Sequence, residues 1–177
     1  MNAEVLNAIF SGLTLVVFIV TAVAAIVQLR HLRSNTSLQG LTMVLQDWQK
    51  PEMQAWIRYV RLELPEKLKD PTFCDEFRRR LDRVHHPELH VCDYWEQCGT
   101  YIKYGMIDRL TFLDSSCATI VRLWESIYPA IVIMRERGGP SVYENFEYLA
   151  VLSKQWIDAH PNGAYPANMP RWDKLNA

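Results

Sequence analysis

The sequence lacks a strong excess of charge of either sign, because its 19 lysines and arginines nearly balance its 20 aspartates and glutamates. Dedicated nucleic-acid binders usually have a marked basic excess, so we expect no nucleic-acid partner. The sequence also lacks a glycine-rich phosphate loop, a nucleophile elbow and an acidic metal motif. These absences count against the common enzyme classes. We therefore predict no catalytic residues and no cofactor.

Charged side chains are also absent from Val5 to Leu29. Within this stretch, Ala8–Val27 is apolar except for hydroxyls at Ser11, Thr14 and Thr21, which can bond back to carbonyls of their own helix. About 20 helical residues at about 1.5 Å each span about 30 Å, which matches the hydrocarbon core of a bilayer. The segment is therefore predicted to be a transmembrane helix, with the lipid bilayer as its partner.

Two alternatives for this segment fit the residues less well. A buried helix of a soluble protein is rarely so long and so unpatterned. A cleaved signal peptide has a basic n-region and a shorter apolar stretch, whereas Glu4 and no lysine or arginine precede this one. Ala22, Ala24 and Ala25 could mimic a cleavage site, but a membrane anchor is the better interpretation.

The basic residues beside the segment predict its orientation. Arg30 and Arg33 follow it directly, and nothing basic except the terminal amine precedes it. The positive-inside rule then places the N-terminus outside the cell membrane and the rest of the chain in the cytoplasm. In that compartment the four cysteines are expected to be reduced thiols. The small-xxx-small pair Ala8 and Gly12 could let two such helices associate as a homo-oligomer.

Hydrophobic residues after the anchor recur with helical spacing and almost never alternate. We therefore predict an all-α fold, in which a single N-terminal transmembrane helix is followed by a cytoplasmic multi-helix bundle. The predicted regions are a membrane anchor (1–33), a helical domain (34–159) and an extended C-terminal tail (160–177). Predicted helices cover 38–48, which could continue directly from the anchor, then 51–64, 71–84, 87–104, 110–137 and 142–156. Pro129 should kink or split the fifth of these.

A basic cluster, Arg78, Arg79 and Arg80, could touch anionic lipid head groups near the anchor. The more favoured interpretation is a solvated helix face, which Asp75 and Glu76 balance. These arginines are the candidate lipid-surface residues.

A second cluster resembles a metal site and consists of His85, His86, His90, Cys92 and Cys98. Its spacing matches no standard zinc signature, and Pro87 disturbs the helix between the histidines. We expect a solvated helix start with buried thiols and no bound metal.

Glu96 lies between Trp95 and Gly99 in an apolar neighbourhood, where an unpaired carboxylate is costly. Arg122 and Arg135 on the following long helix are its candidate partners. We predict that the pair is structural, because a lone acid–base pair more often stabilises a fold than catalyses a reaction.

Several short motifs resemble a known family. They are 94–99 (YWEQCG), 104–108 (YGMID), the set Trp124, Pro129 and Arg135, and 145–150 (NFEYLA). They resemble a family of small bacterial and phage-borne proteins of unknown function, with an N-terminal membrane helix and a helical domain. The resemblance covers the anchor and the C-terminal half, and it implies no activity.

The sequence therefore predicts a membrane-tethered helical interaction or regulatory module that holds a protein partner at the cytoplasmic face. The alternative is a membrane-associated, hydrolase-like enzyme that uses Glu96 and the nearby histidines. A sensor of lipid surfaces, acting through the arginine cluster, is the third possibility.

Overall fold

A computed structural model of the chain describes residues 3–79 and 82–172, with the backbone alone for 4–6, 8–9 and 33–37. These residues form α-helices and no β-strand, so the all-α prediction is confirmed. Contacts divide the chain into a first unit, Met1–Gln39, and a second unit, Gly40–Ala177. The helices are α1 (Ala3–Trp48), α2 (Pro51–Leu62), α3 (Leu64–Lys67), α4 (Pro71–Glu76), α5 (Glu88–Lys103), α6 (Arg109–Gly138) and α7 (Glu144–Ala159).

The first unit consists of the apolar part of α1. Its segment Phe10–Leu32 has 23 residues, a mean hydropathy of 2.6 and no buried residue, so it is long and apolar enough to cross a membrane. The Thr14 hydroxyl donates to the Phe10 carbonyl at 2.8 Å, and the Thr21 hydroxyl donates to Val17 at 2.8 Å. As predicted, these hydroxyls bond within their own helix.

Helix α6 is also long and apolar enough to cross a membrane, with a mean hydropathy of 1.4. It differs from α1 in that one face packs inside the second unit. It remains one helix through Pro129, which is exposed, so that the carbonyl left without a donor can bond to water. The predicted split is absent. The buried residues of α6 are Phe112, Leu113, Ile120, Leu123, Ile127, Ala130, Ile131 and Met134.

In the second unit, α7 packs along α5 and α6. Helix α2 also packs against both α5 and α6. Aromatic rings link these helices, since the Trp95 ring centroid lies 6.4 Å from that of Phe112 and 6.3 Å from that of Phe146. The buried face of α5 contains Leu89, Cys92, Trp95, Gly99 and Ile102.

Helix starts follow their capping residues. The Asp70 carboxylate accepts a hydrogen bond from Thr72 N at 2.8 Å, and Pro71 opens α4. Asp108 accepts from both the backbone and the side chain of Thr111, and these bonds hold the pKa of Asp108 below its usual range. Helix α4 is shorter than predicted. Asp82 accepts from Val84 N at 3.0 Å, which forms a local turn where the pattern predicted helix.

Candidate functional site

Glu96 on α5 caps the N-terminus of α7. Its Oε2 atom accepts hydrogen bonds from the backbone N–H groups of Asn145, at 3.0 Å, and Phe146, at 2.8 Å. Its Oε1 atom accepts from Asn145 Nδ2 at 2.7 Å. The first N–H groups of a helix have no partner within that helix, and the residue before α7, Tyr143, provides no side-chain cap. Glu96 therefore serves as a cap from a different helix.

The local sequence brings α5 and α7 into close approach at this point. A Cβ atom on Gly99 would lie 2.1 Å from the Asn145 carbonyl oxygen, so only glycine fits there. Tyr143 adopts a left-handed conformation with φ of 56° just before α7. Its hydroxyl donates to Asp93 on α5 at 3.3 Å. The motifs at 94–99 and 145–150 therefore pack directly on one another.

The partner of Glu96 differs from the prediction, because among the described residues no ion pair joins it to Arg122 or Arg135. Arg135 instead donates from Nε to the Val142 carbonyl at 3.0 Å, and its Nη2 lies 2.8 Å from Glu147 Oε2. Arg122 is exposed on α6, near Arg61. The Glu96 carboxylate accepts three hydrogen bonds from the start of α7, and these donors take the place of the predicted guanidinium.

Arg30, which is predicted to flank the membrane, is exposed in α1, and the side chain of Arg33 lies outside the described part of the chain. Arg78 pairs with Asp75 and, at 2.9 Å, with Glu136 of α6. Arg79 is exposed, and Arg80 lies outside the described residues. Arg78 is therefore bound to carboxylates of its own unit, and the lipid-surface role of the cluster stays a prediction.

His86 is buried with only 3% of its side chain exposed, which corrects the expectation of a solvated imidazole. Its Nδ1 lies 2.7 Å from Glu88 Oε1 and its Nε2 lies 3.0 Å from Glu76 Oε2. Phe73 of α4 and Phe77, which directly follows α4, lie against the imidazole with ring centroids 5.4 and 5.0 Å away. The burial results from α4 folding over the start of α5, which the local sequence pattern does not indicate.

The other members of the histidine and cysteine cluster lie apart. His85 is exposed beside Asp82, and the His90 ring stacks on Trp56 with centroids 4.0 Å apart. Burial raises the pKa of the Cys98 thiol to about 12 and that of the Cys92 thiol well above its usual value. Within residues 3–79 and 82–172, no group of three or more His, Cys, Asp or Glu side chains is placed to hold a metal ion.

Glu88 has the least accessible charged side chain of this region, since it is fully buried. Burial raises the pKa of Glu88, against the opposing effect of its hydrogen bond with His86. Its Oε2 atom has no hydrogen-bond partner among the described residues. A hydrolase that uses Glu96 with a histidine would need these groups side by side and free. Instead, Glu96 is bound to α7 and His86 lies between Glu76 and Glu88.

Two neighbouring hollows on the second unit were not predicted from the sequence. We call the first the Trp95 pocket; it has a volume of about 90 Å³ and is lined by Val44, Leu45, Trp48, Tyr94, Trp95, Ser115, Ser116 and Thr119. We call the second the Trp56 groove; it is wider, at about 410 Å³, and is lined by Asp47, Lys50, Glu52, Met53, Trp56, Asp93, Tyr94 and Gln97.

Tyr94 lines both hollows and is held in place by its hydroxyl, which donates to the Val44 carbonyl at 2.9 Å. The Trp48 ring packs against the rings of Tyr94 and Trp95, with centroids 6.0 and 5.2 Å apart. The end of α1 is thereby fixed against α5. The hydroxyls Ser115, Ser116 and Thr119 within the apolar pattern of α6 are the sequence signal that could have indicated the Trp95 pocket.

Comparison with known proteins identifies a family. The family model described as a domain of unknown function (DUF4760) matches residues 15–156, from within the apolar segment of α1 to α7. No curated protein and no solved structure matches the chain. The match covers most of the chain, including the motifs at 94–99 and 145–150, and it agrees with the predicted resemblance to an uncharacterised family. The chain belongs to the family described as domain of unknown function DUF4760.

Proposed function

We propose that the protein is a single-pass membrane-tethered module, whose helical second unit binds a protein partner at the cytoplasmic face of the cell membrane. The observation that carries the proposal is the unburied apolar segment Phe10–Leu32, followed in the same chain by a unit with its own hydrophobic core. Residues 1–33 act as the anchor, 34–159 as the binding domain and 160–177 as a tail.

The length of the segment supports its role as an anchor. Its 23 residues at about 1.5 Å each span about 35 Å, slightly more than the hydrocarbon core of about 30 Å. Solvent-exposed side chains such as Phe10, Leu15 and Phe18 are unfavourable in water and favourable in lipid. Helix α6 has its buried face inside the second unit, so we assign it to the core and assign one span to the chain.

Orientation is proposed from the basic residues. Arg30 and Arg33 lie at the C-terminal end of the segment, where lysine and arginine favour the cytoplasm. The four cysteines, Cys74, Cys92, Cys98 and Cys117, are free thiols, which suits a reducing compartment.

The interaction role is supported by the aromatic surface of the second unit. Trp48, Trp56 and Tyr94 are half-buried beside the two hollows. Tryptophan and tyrosine are enriched among the residues that dominate binding energy at protein interfaces. The lining of the Trp56 groove also includes charged groups, among them Asp47, Lys50 and Glu52, and protein interfaces likewise combine aromatic residues with polar ones.

Paired C-terminal reporters test the topology, one active only in the cytoplasm and one active only outside it. The wild-type chain should activate the cytoplasmic reporter alone. Changing Arg30 and Arg33 to glutamate should give a mixture of orientations. The control is glutamate at Arg58 and Arg61, which are exposed on α2 and follow the end of α1 in the sequence, and this variant should keep the wild-type orientation. Activity of the external reporter alone would overturn the proposal.

A further inference from the structure

His86 is held between two carboxylates that come from different helices. Its Nδ1 lies 2.7 Å from Glu88 Oε1 of α5, and its Nε2 lies 3.0 Å from Glu76 Oε2 of α4. A neutral imidazole has one donor nitrogen and one acceptor nitrogen, whereas an ionised carboxylate only accepts. The two contacts together therefore require one further proton, either on the imidazole or on one of the carboxyl groups.

Burial places that proton on the inner side of His86. Glu88 is fully buried, whereas 48% of the Glu76 side chain is exposed. The second oxygen of Glu88, Oε2, has no hydrogen-bond partner among the described residues. An ionised carboxylate in such a place loses its hydration without full compensation, and burial accordingly raises the pKa of Glu88. The proton is therefore shared between Glu88 Oε1 and His86 Nδ1, and it titrates as a property of the pair.

The same contacts fasten α4 to the start of α5. Glu76 is the last residue of α4, and the rings of Phe73 and Phe77 lie against the His86 imidazole. Helix α4 has only six residues, and none of them is buried. Isolated helices shorter than about 12–15 residues are marginal in water. The position of α4 therefore depends on its contacts with His86.

Other titratable groups surround the pair. They are Tyr59 of α2, Lys67 of α3, Cys92 of α5, and Arg79, Asp82 and His85 of the stretch between α4 and α5. Burial raises the pKa of Tyr59 and that of Cys92 above their usual values, so the phenol and the thiol stay neutral. The charge of Lys67 lowers the pKa of Glu88, but burial outweighs this effect. His85 is exposed and lies 2.9 Å from Asp82, which makes it a control for His86.

We infer that Glu76, His86 and Glu88 form a proton-dependent latch, in which the proton shared by His86 and Glu88 keeps α4 docked on the start of α5. When base removes this proton, the Glu88 carboxylate faces the lone pair of Nδ1. His86 then leaves its place, and α4 detaches and uncovers Phe73 and Phe77. Because the docked form binds the proton and the released form does not, docking is strongest at low pH and weakens as the pH rises.

Cys74 can report on the latch, because it lies on α4 and its thiol donates to the Leu68 carbonyl at 3.2 Å. The full-length chain in detergent micelles is treated briefly with iodoacetamide at pH values from 6 to 9. Mass spectrometry then gives the labelling of Cys74 relative to that of Cys117 on α6. Loss of one hydrogen bond to a charged group changes the ratio of released to docked α4 about 5–30-fold. Labelling of Cys74 relative to Cys117 should therefore rise about fivefold, while the buried Cys92 and Cys98 stay unmodified.

Glu88→Gln is the matched variant, because its amide N–H donates to Nδ1 at every pH and cannot be lost. Its relative labelling of Cys74 contains only the intrinsic pH dependence of the two thiols, so the fivefold rise is the excess of the wild type over this variant. His85→Gln should keep that excess. A Glu88→Gln chain whose Cys92 and Cys98 react at pH 6 is unfolded and is replaced by Glu88→Met, which also lacks the carboxyl proton.

Three results would overturn the latch. The first is relative labelling of Cys74 that changes with pH in the same way in the wild type and in Glu88→Gln. The second is loss of the excess in His85→Gln, because the titrating group is then His85. The third is labelling of Cys92 and Cys98 together with Cys74 in the wild type, because the second unit then unfolds as a whole.

Discussion

Glu96→Ala should detach the first turn of α7 from α5, because it removes the acceptor for two backbone N–H groups and one side-chain amide. Loss of an N-cap costs about 0.5–2 kcal/mol, and each hydrogen bond to a charged group contributes about 1.5–3 kcal/mol. These contributions are not additive, since water reaches the half-buried site. We expect a loss of about 2–4 kcal/mol, which at about 2–4 °C per kcal/mol lowers Tm by about 4–16 °C.

Glu96→Gln refines the prediction. One side of the glutamine amide accepts, but the other carries an NH₂ group that must face either Asn145 Nδ2 or the two backbone N–H groups. The loss should therefore be smaller, at about 1–2 kcal/mol. Thermal unfolding monitored by tryptophan fluorescence suits this measurement, because Trp95 and Trp124 both contact Phe146 of α7.

The control variant is Glu144→Gln, which also removes a carboxylate at the start of α7. Glu144 is exposed and lies 3.8 Å from Lys103, so its interactions with the helix dipole and this lysine are worth less than about 1 kcal/mol. If Glu96→Ala and Glu144→Gln unfold at the same temperature as the wild type, Glu96 does not cap α7 and the account of this site is wrong.

Three further predictions concern buried groups. His86→Ala should lower stability by about 3–5 kcal/mol in chemical unfolding, because it strands the buried Glu88 carboxylate; an unchanged midpoint would contradict the buried pair. The folded-state pKa of Glu88 is raised, so this carboxyl contributes stability that is full at pH values below its unfolded pKa and is lost as pH rises through the folded pKa. Glu88→Gln should therefore improve stability more at pH 8 than at pH 4, and equal effects at both values would refute the raised pKa. Iodoacetamide at pH 8 should modify the half-buried Cys74 and Cys117. The thiols of Cys98, whose pKa is raised to about 12, and of Cys92, which is buried, should stay unmodified. Mass spectrometry that finds the four cysteines equally labelled would contradict this prediction.

The helical spacing of apolar residues predicts most of the helices of the fold. Met53, Ile57 and Val60 are buried in α2 as their spacing predicts, because apolar residues three or four apart share one face of a helix. Leu64 is also buried, but it begins α3, so the predicted helix 51–64 is divided after Leu62. Helix boundaries at Pro51, Pro71 and Pro87 were also predictable, since proline is favoured at a helix start. The long helix 110–137 was found within one residue of α6 at either end.

Tertiary contacts account for what the pattern could not predict. The sequence indicates that Glu96 needs a partner, but arginine side chains and helix N-termini both satisfy a carboxylate. The choice between them depends on the close approach that Gly99 allows. Similarly, His86 is polar and follows another histidine, so it resembles a solvated residue until Phe73 and Phe77 cover it. The Trp95 pocket requires α1, α5 and α6 together, and no single segment reveals it.

The most direct test of the tethered-module account removes residues 1–39, the first unit, and compares the remaining chain with the full-length protein. The full-length chain should stay in the membrane fraction after alkaline carbonate washing. Residues 40–177 should be soluble without detergent and unfold in one cooperative transition, because this unit holds the hydrophobic core. If the shortened chain remains with the membrane, or aggregates in every detergent-free buffer, then the second unit itself requires lipid and the account is contradicted.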